Sequence, residues 1–232
     1  MEKFVLGATW YAAFLFSVVF HEAAHALAAL KLGDRTAYEG GQVSMNPIPH
    51  VRREPFGTIV LPILSFIVGG WMIGWASAPY NPSWAIRYPK RSALMALAGP
   101  SANLIIVIVM FILIRVGLGF NLFYPPATIN VSHVTAATGA GVLTALAKFI
   151  SILFSLNLIL FIFNLLPLPP LDGSGILPLA LDDGTARKYM DFIRNPAFMI
   201  FGLLIAWRLF DAVFNPIFTF ALNLLYPGQY YH

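Results

Sequence analysis

The sequence predicts an all-α polytopic membrane protein with about four transmembrane helices, a re-entrant membrane loop and a small β-hairpin after the first helix. Three observations carry this. Of 232 residues, 59% are hydrophobic and 10% charged, with a mean hydropathy of +0.76. Soluble domains carry roughly 25% charged residues, so too little polar surface is left here to coat a water-soluble globule. Nearly uncharged stretches long enough to cross a hydrocarbon layer of ~30 Å recur along the chain, and basic residues gather between them. This composition excludes a soluble enzyme, a disordered regulator and a nucleic-acid binder. The formal charge of +4 rests on only 14 basic residues, which in a membrane protein orient the loops. The absence of cysteine excludes a disulfide framework, a thiolate metal site and a cysteine nucleophile.

The elements follow in order. Residues 4–30 form the first span, whose only charge is Glu22, accompanied by His21 and His25. Its apolar run is about twice the length of a signal-peptide core and no small-residue cleavage site follows, so it is read as retained. Residues 35–45 read as a hairpin turning at Gly40-Gly41. Residues 56–78 carry no charge but are broken by Pro62, Gly69, Gly70 and Gly74. Spans follow at 93–116, with Arg115 at its end, and at 139–166, with Lys148. The apolar run 197–225 is interrupted by Arg208, Asp211 and Pro216, which predicts a span at 197–213 and then a broken or interfacial piece. The remaining segments are loops, and residues 1–232 form a single integral-membrane domain.

An ionisable side chain at bilayer depth is costly and points to function. The first span holds three in five positions, His21-Glu22-Ala23-Ala24-His25. Positions i and i+4 share a helix face, so His21 and His25 can place two imidazole nitrogens on one Zn²⁺. Glu22 is offset around the helix, close enough to a water at the metal to act as general base. A catalytic zinc site needs a third protein ligand. Asp172 is the carboxylate that stands at the edge of an apolar span, in Pro167-Leu168-Pro169-Pro170-Leu171-Asp172-Gly173. These prolines predict an unwound segment, which at membrane depth is tolerated only where it is buried or lines a polar cavity. The plainer reading of Asp172 is a cap on a helix beginning at Gly173 or Ser174.

These features resemble the site-2 protease family of intramembrane zinc metalloproteases, in the compact form without PDZ or CBS domains. The resemblance rests on Phe20 to His25, on Asn164 to Gly173 (the family's N-x-x-P-x-x-x-L-D-G), on Gly99-Pro100-Ser101-Ala102-Asn103 (G-P-x-x-N), and on Asn46-Pro47-Ile48-Pro49-His50 running on to Pro55-Phe56-Gly57. In the last motif an Asp of the family pattern is replaced by Arg52 or Arg53. The resemblance implies one Zn²⁺ per chain on His21, His25 and Asp172, with Glu22 catalytic. It also implies a substrate or oxyanion contact from Asn164. Asn103 reads as structural, with Gly99 allowing close helix approach. His50 reads as a surface loop histidine or as part of the active-site entrance, and His133 and His232 as carrying no function.

Topology tests the metal reading independently. For Asp172 to reach His21 and His25, an even number of crossings must separate the first and fourth apolar stretches, so 56–78 must enter and leave on one side. That arrangement places ten basic residues, from Lys31 to Arg194, on one face against one or two on the other. The N-terminus is then outside and the active site near the cytoplasmic face, in what reads as a prokaryotic cell membrane. The expected activity is hydrolysis of peptide bonds in or near transmembrane segments of membrane-protein substrates, as in regulated intramembrane proteolysis. An extended substrate would dock on the edge of the 35–45 hairpin. The expected partners are that substrate and the lipid bilayer, with a homo-oligomer or regulatory membrane partner left open. The alternatives are a metal-binding membrane transporter, disfavoured by the bareness of the spans apart from Lys148 and Asn157, or a catalytically inactive membrane chaperone.

Overall fold

The structure, a computed structural model, describes residues 2–229 and 231; His232 lies outside the described residues. Among the described residues four helices are long and apolar enough to cross a membrane: α1 (Glu2–Leu32), α6 (Pro89–Gly119), α7 (Val142–Leu165) and α10 (Pro196–Leu225). Each extends beyond the span expected from sequence except α7, which starts three residues late because Gly139 and Gly141 begin no helix. The short elements are α2 (Thr36–Glu39), α3 (Pro47–Arg53), α4 (Leu61–Gly69), α5 (Pro82–Arg87), α8 (Asp172–Ile176) and α9 (Asp183–Ile193). A five-residue π-helical stretch, Phe56–Val60, leads into α4, and a 3₁₀ turn, Leu177–Ala180, follows α8.

Asparagine-proline pairs start three of these helices. Asn46, Asn81 and Asn195 each accept a backbone N–H of the first turn while the following proline occupies the position that needs no N–H. The same pair at Asn215-Pro216 starts nothing, and α10 runs unbroken through it, correcting the expected stop at 213. The reason is packing. Phe210, Phe214 and Phe218 stack at 5.1 and 5.2 Å between centroids, and Phe214, Leu222 and Leu225 join α6 and α7 in the largest apolar core. That burial holds the last turns together despite the hydrogen bond a proline removes.

The expected hairpin at 35–45 is absent. Asp34 accepts from both the N–H (3.0 Å) and the hydroxyl (2.6 Å) of Thr36, which starts the single helical turn of α2. Gly40-Gly41 then closes that turn, with Gly41 at φ 74°, and Gln42 N–H returns to Ala37 O instead of pairing a strand. Asp34 also accepts from Asn81 N–H at 2.7 Å; burial works to raise its carboxyl, and these hydrogen bonds outweigh it and hold the group below its ordinary value. The two-stranded antiparallel pair that the fold does contain joins Phe123–Tyr124 to Ala136–Ala137, in the loop between α6 and α7.

The segment expected to be re-entrant is a helix with an extended return. The π-helical stretch and α4 together span 14 residues, about 21 Å, too short to cross ~30 Å of hydrocarbon. The chain reverses at Gly70, whose φ is 77°, and Trp75 N–H bonds back to Gly57 O at 3.1 Å. The segment therefore ends beside the level at which it began. Exactly two long helices, α6 and α7, then separate the end of α1 from Asp172, which is the even count that the metal reading requires.

Candidate metal centre

Three elements bring the centre together. His21 and His25 lie one turn apart on α1, and each is 7% exposed. Asp172 opens α8, six residues past Leu166, where α7 ends, after a stretch of prolines and turns. The tight fit of that reversal explains Gly173: a Cβ there would run into the Leu165 and Leu166 backbone. Ser174 caps Leu171 O, Tyr189 of α9 donates to Ser174 O at 2.9 Å, and the Lys90 ammonium donates to Leu179 O and Leu181 O. Asp172 is thereby held from both sides. Its own side chain caps no helix; it faces the histidines.

The donor atoms form a small triangle. His21 Nε2 and His25 Nε2 are 2.9 Å apart, and Asp172 Oδ2 lies 3.1 and 3.3 Å from them. Ligands held 2.0–2.1 Å from one tetrahedral ion are about 3.3 Å apart, so the spacing fits a zinc-sized cation. The tautomers support this. His25 Nδ1 donates to the backbone carbonyl of Met95 at 2.8 Å, which leaves its Nε2 bare. His21 Nδ1 contacts Asn103 Oδ1 at 2.5 Å, and the amide orientation is settled by a chain of bonds. Asn157 Nδ2 donates to the backbone carbonyl of Leu153 (2.8 Å) and to Ser17 Oγ, so its Oδ1 faces Asn103 and accepts from Asn103 Nδ2 (2.8 Å). Asn103 Oδ1 is then the acceptor for His21 Nδ1–H, and His21 Nε2 is bare as well. Two lone pairs and a carboxylate oxygen thus converge, and Asp172 Oδ2 is a buried oxygen with no hydrogen-bond donor among the described residues. A cation seated between them satisfies all three, and two imidazoles with one carboxylate suit a divalent ion of the zinc class.

Gly99 completes the seat. A Cβ on it would overlap both Nε2 atoms, so the G-P-x-x-N motif supplies both the gap for the histidines, at Gly99, and the orienting amide, at Asn103. Asn103, expected to be structural, bonds the candidate ligand His21 directly as well as joining α6 to α7. Sequence reasoning passed over Ser17 and noted Asn157 only as a polar exception among the spans; the legible signal was that Ser17 precedes His21 by one turn and that Asn157 is a lone amide deep in an apolar span.

Glu22, also 7% exposed, lines a cleft of about 300 Å³ together with His25 and Asp172. Its far wall is the extended return after α4, through Ala76, Ser77 and Ala78. Asn164 is half-buried in the last turn of α7 and does not line this cleft. His50 is not a surface residue: it is fully buried on α3, with Nε2 3.1 Å from Ser44 O, and it does not line the cleft either. His133 pairs with Asn130 through the backbone in the loop before α7.

A family model described as Peptidase family M50 matches residues 9–207. The protein named "Putative zinc metalloprotease YwhC" of Bacillus subtilis is 33% identical over 221 residues, covering 87% of this chain and 90% of that protein. Proteins named Rip2 from Mycolicibacterium smegmatis and Mycobacterium tuberculosis, carrying the same zinc metalloprotease description, are 28% and 30% identical. Those alignments cover 76% of this chain, which spans only 58% of each Rip2. No solved structure matches. The resemblance to site-2 proteases is borne out, and the four apolar helices are those of an integral membrane protein. A match running through both histidines, Asn103 and Asp172, with a relative aligned along nine-tenths of its own length, means that this chain belongs to Peptidase family M50.

Proposed function

We propose that the chain is an intramembrane zinc metalloprotease that hydrolyses peptide bonds in or near transmembrane segments of membrane-protein substrates. The observation that carries this reading is the convergence of two bare imidazole nitrogens and an orphan carboxylate oxygen beside Glu22, within helices long enough to cross a bilayer. His21, His25 and Asp172 would hold the ion. Zinc bound there supplies Lewis acidity, which acidifies a water molecule and polarises a carbonyl.

The rest is done by the chain. Glu22 accepts the proton of the attacking water and returns it to the leaving amine nitrogen. Asn103 and the Met95 carbonyl hold both imidazoles with Nε2 forward. Asn164 is the candidate for contact with substrate or oxyanion, a role that rests on its motif. The return segment provides a seat for an unwound substrate, since the N–H groups of Ala76 and Ala78 have no backbone partner among the described residues and both residues line the cleft. The docking role expected of a 35–45 hairpin therefore moves to residues 76–78. The basic residues between spans favour an outside N-terminus and a cleft toward the cytoplasm, with 56–78 re-entrant.

The test uses purified protein in bilayers with a single-span substrate. Cleavage is expected to vanish with chelator and in Glu22→Gln, with zinc retained in Glu22→Gln and lost in His21→Ala and Asp172→Ala. Undiminished cleavage in Glu22→Gln sinks the mechanism.

A further inference from the structure

The last helix carries polar groups on the wrong side for a lone membrane span. In the first half of α10, Gly202 and Ala206 are buried against the rest of the chain. At 100° per residue, Arg208, Asp211 and Asn215 lie within about 60° of one another on the side opposite Ala206. All three are exposed; beyond them on the same line Thr219 is half-buried and Leu222 is buried, so the free stripe ends at Asn215. Asp211 is near the middle of this 30-residue helix, too far from either end to reach interfacial water. Among the described residues Arg208 and Asp211 form no ion pair, with each other or with any other group, and none of the four polar side chains makes a hydrogen bond. The stripe plays no part in the cleft, which touches α10 only near its start, at Met199.

Charged side chains inside a bilayer normally face a protein interior and pair there. We propose that this stripe is the interface at which α10 packs against α10 of a second copy of the chain. The argument is charge complementarity. A twofold axis along the membrane normal places the same face of two parallel helices together. Arg208 and Asp211, one turn apart, then meet in two reciprocal ion pairs, and the Asn215 amides, each both donor and acceptor, meet one another. A partner face of a single sign would leave one charge of each pair unmatched.

The full chain in lipid bilayers tests this without reference to proteolysis, so the protease reading and this one can fail separately. Because the chain lacks cysteine, Asn215→Cys introduces a single thiol. Oxidation should link it to a second copy at least about tenfold more efficiently than Ile112→Cys, whose side chain is equally outward on α6. In energy transfer between differently labelled copies, Arg208→Asp or Asp211→Arg alone should weaken association by about tenfold or more. The combined Arg208→Asp/Asp211→Arg variant, which restores complementarity, should associate as the native chain does. Thermal unfolding checks that each variant folds. Native chains that stay monomeric as lipid is diluted out, single swaps that associate normally, or a combined swap that does not recover would each overturn the proposal.

Discussion

Replacing Gly99 with alanine sets two effects against each other that differ in sign. In a helix interior Ala is better than Gly by about 0.8–1.0 kcal/mol, so propensity alone predicts a more stable α6. Against this, the new Cβ would sit well inside the 3.0 Å limit of real Cβ contacts, from both His25 Nε2 and His21 Nε2. Histidine tips are normally free to move aside. These are not, since His25 Nδ1 is tied to Met95 O and His21 Nδ1 to Asn103 Oδ1. Overpacking a fitted interior costs roughly 1–3 kcal/mol, and swinging the rings away leaves buried N–H groups unpaired at about 1–3 kcal/mol each. A net 2–3 kcal/mol falling on the metal-competent arrangement is a loss of roughly 30- to 150-fold in zinc affinity. The melting temperature of the metal-free protein should meanwhile move by only a few degrees, because propensity offsets part of the strain. Competition against a chromophoric chelator reads the first and thermal unfolding the second. Gly119→Ala, where a Cβ meets nothing within 4 Å, is the control and should bind zinc normally. Native zinc affinity in Gly99→Ala would refute the placement of the donor atoms against α6.

Removing the acceptor for His21 Nδ1 with Asn103→Leu should weaken zinc binding by about 10- to 100-fold, whereas Asn103→Asp, which still accepts that proton but loses the donor to Asn157 Oδ1, should weaken it less; isothermal titration distinguishes them. Ala76→Pro should raise KM for a membrane substrate several-fold while zinc content stays unchanged, as measured by steady-state cleavage and elemental analysis. Burial pushes the Tyr226 hydroxyl up to about 12, and it donates to Val134 O at 2.8 Å. A folded-state pKa above the unfolded value near 10 contributes stability that is whole below pH ~10 and is lost as pH rises to ~12. Tyr226→Phe should flatten the alkaline fall in melting temperature. Chelation should speed amide hydrogen exchange along α1, α6 and α7 and leave α10, which contributes neither donor nor orienting bond, unchanged.

The candidate ligand cluster was legible because each part is local. His21 and His25 are separated by one helical turn, and the prolines before Asp172 forbid a continued helix within a few residues. Crossing parity then needs only a count of long apolar stretches. What was not legible depends on contacts between distant segments. The hairpin expected at 35–45 rested on Gly40-Gly41, but Asp34 finds Thr36 and Asn81 together and starts a helical turn instead. Pro216 reads as a stop until Phe214 and Leu222 are seen packed on α6 and α7. His50 reads as a loop residue because nothing nearby in sequence reveals that α3 folds back to bury it completely.

The orienting bonds depend in the same way on registry between helices, and this bears on how the site is kept. Ser17 and His21 come from α1, Asn103 from α6, and Asn157 from α7. A slip of one residue in α6 would turn Asn103 by about 100° away from both neighbours. His21 would then be free to carry its proton on Nε2, where it cannot bind a metal. The tautomer of one ligand is thus a report on the packing of three helices, anchored at its far end by the backbone carbonyl of Leu153 and not by any side chain that could rotate. The converse follows by linkage: an ion on His21 favours the one registry in which Nδ1 has its acceptor, so metal binding and helix assembly are one equilibrium. An amide suits this position because it must accept from His21 and donate to Asn157 at once, which neither a carboxylate nor an ammonium can do.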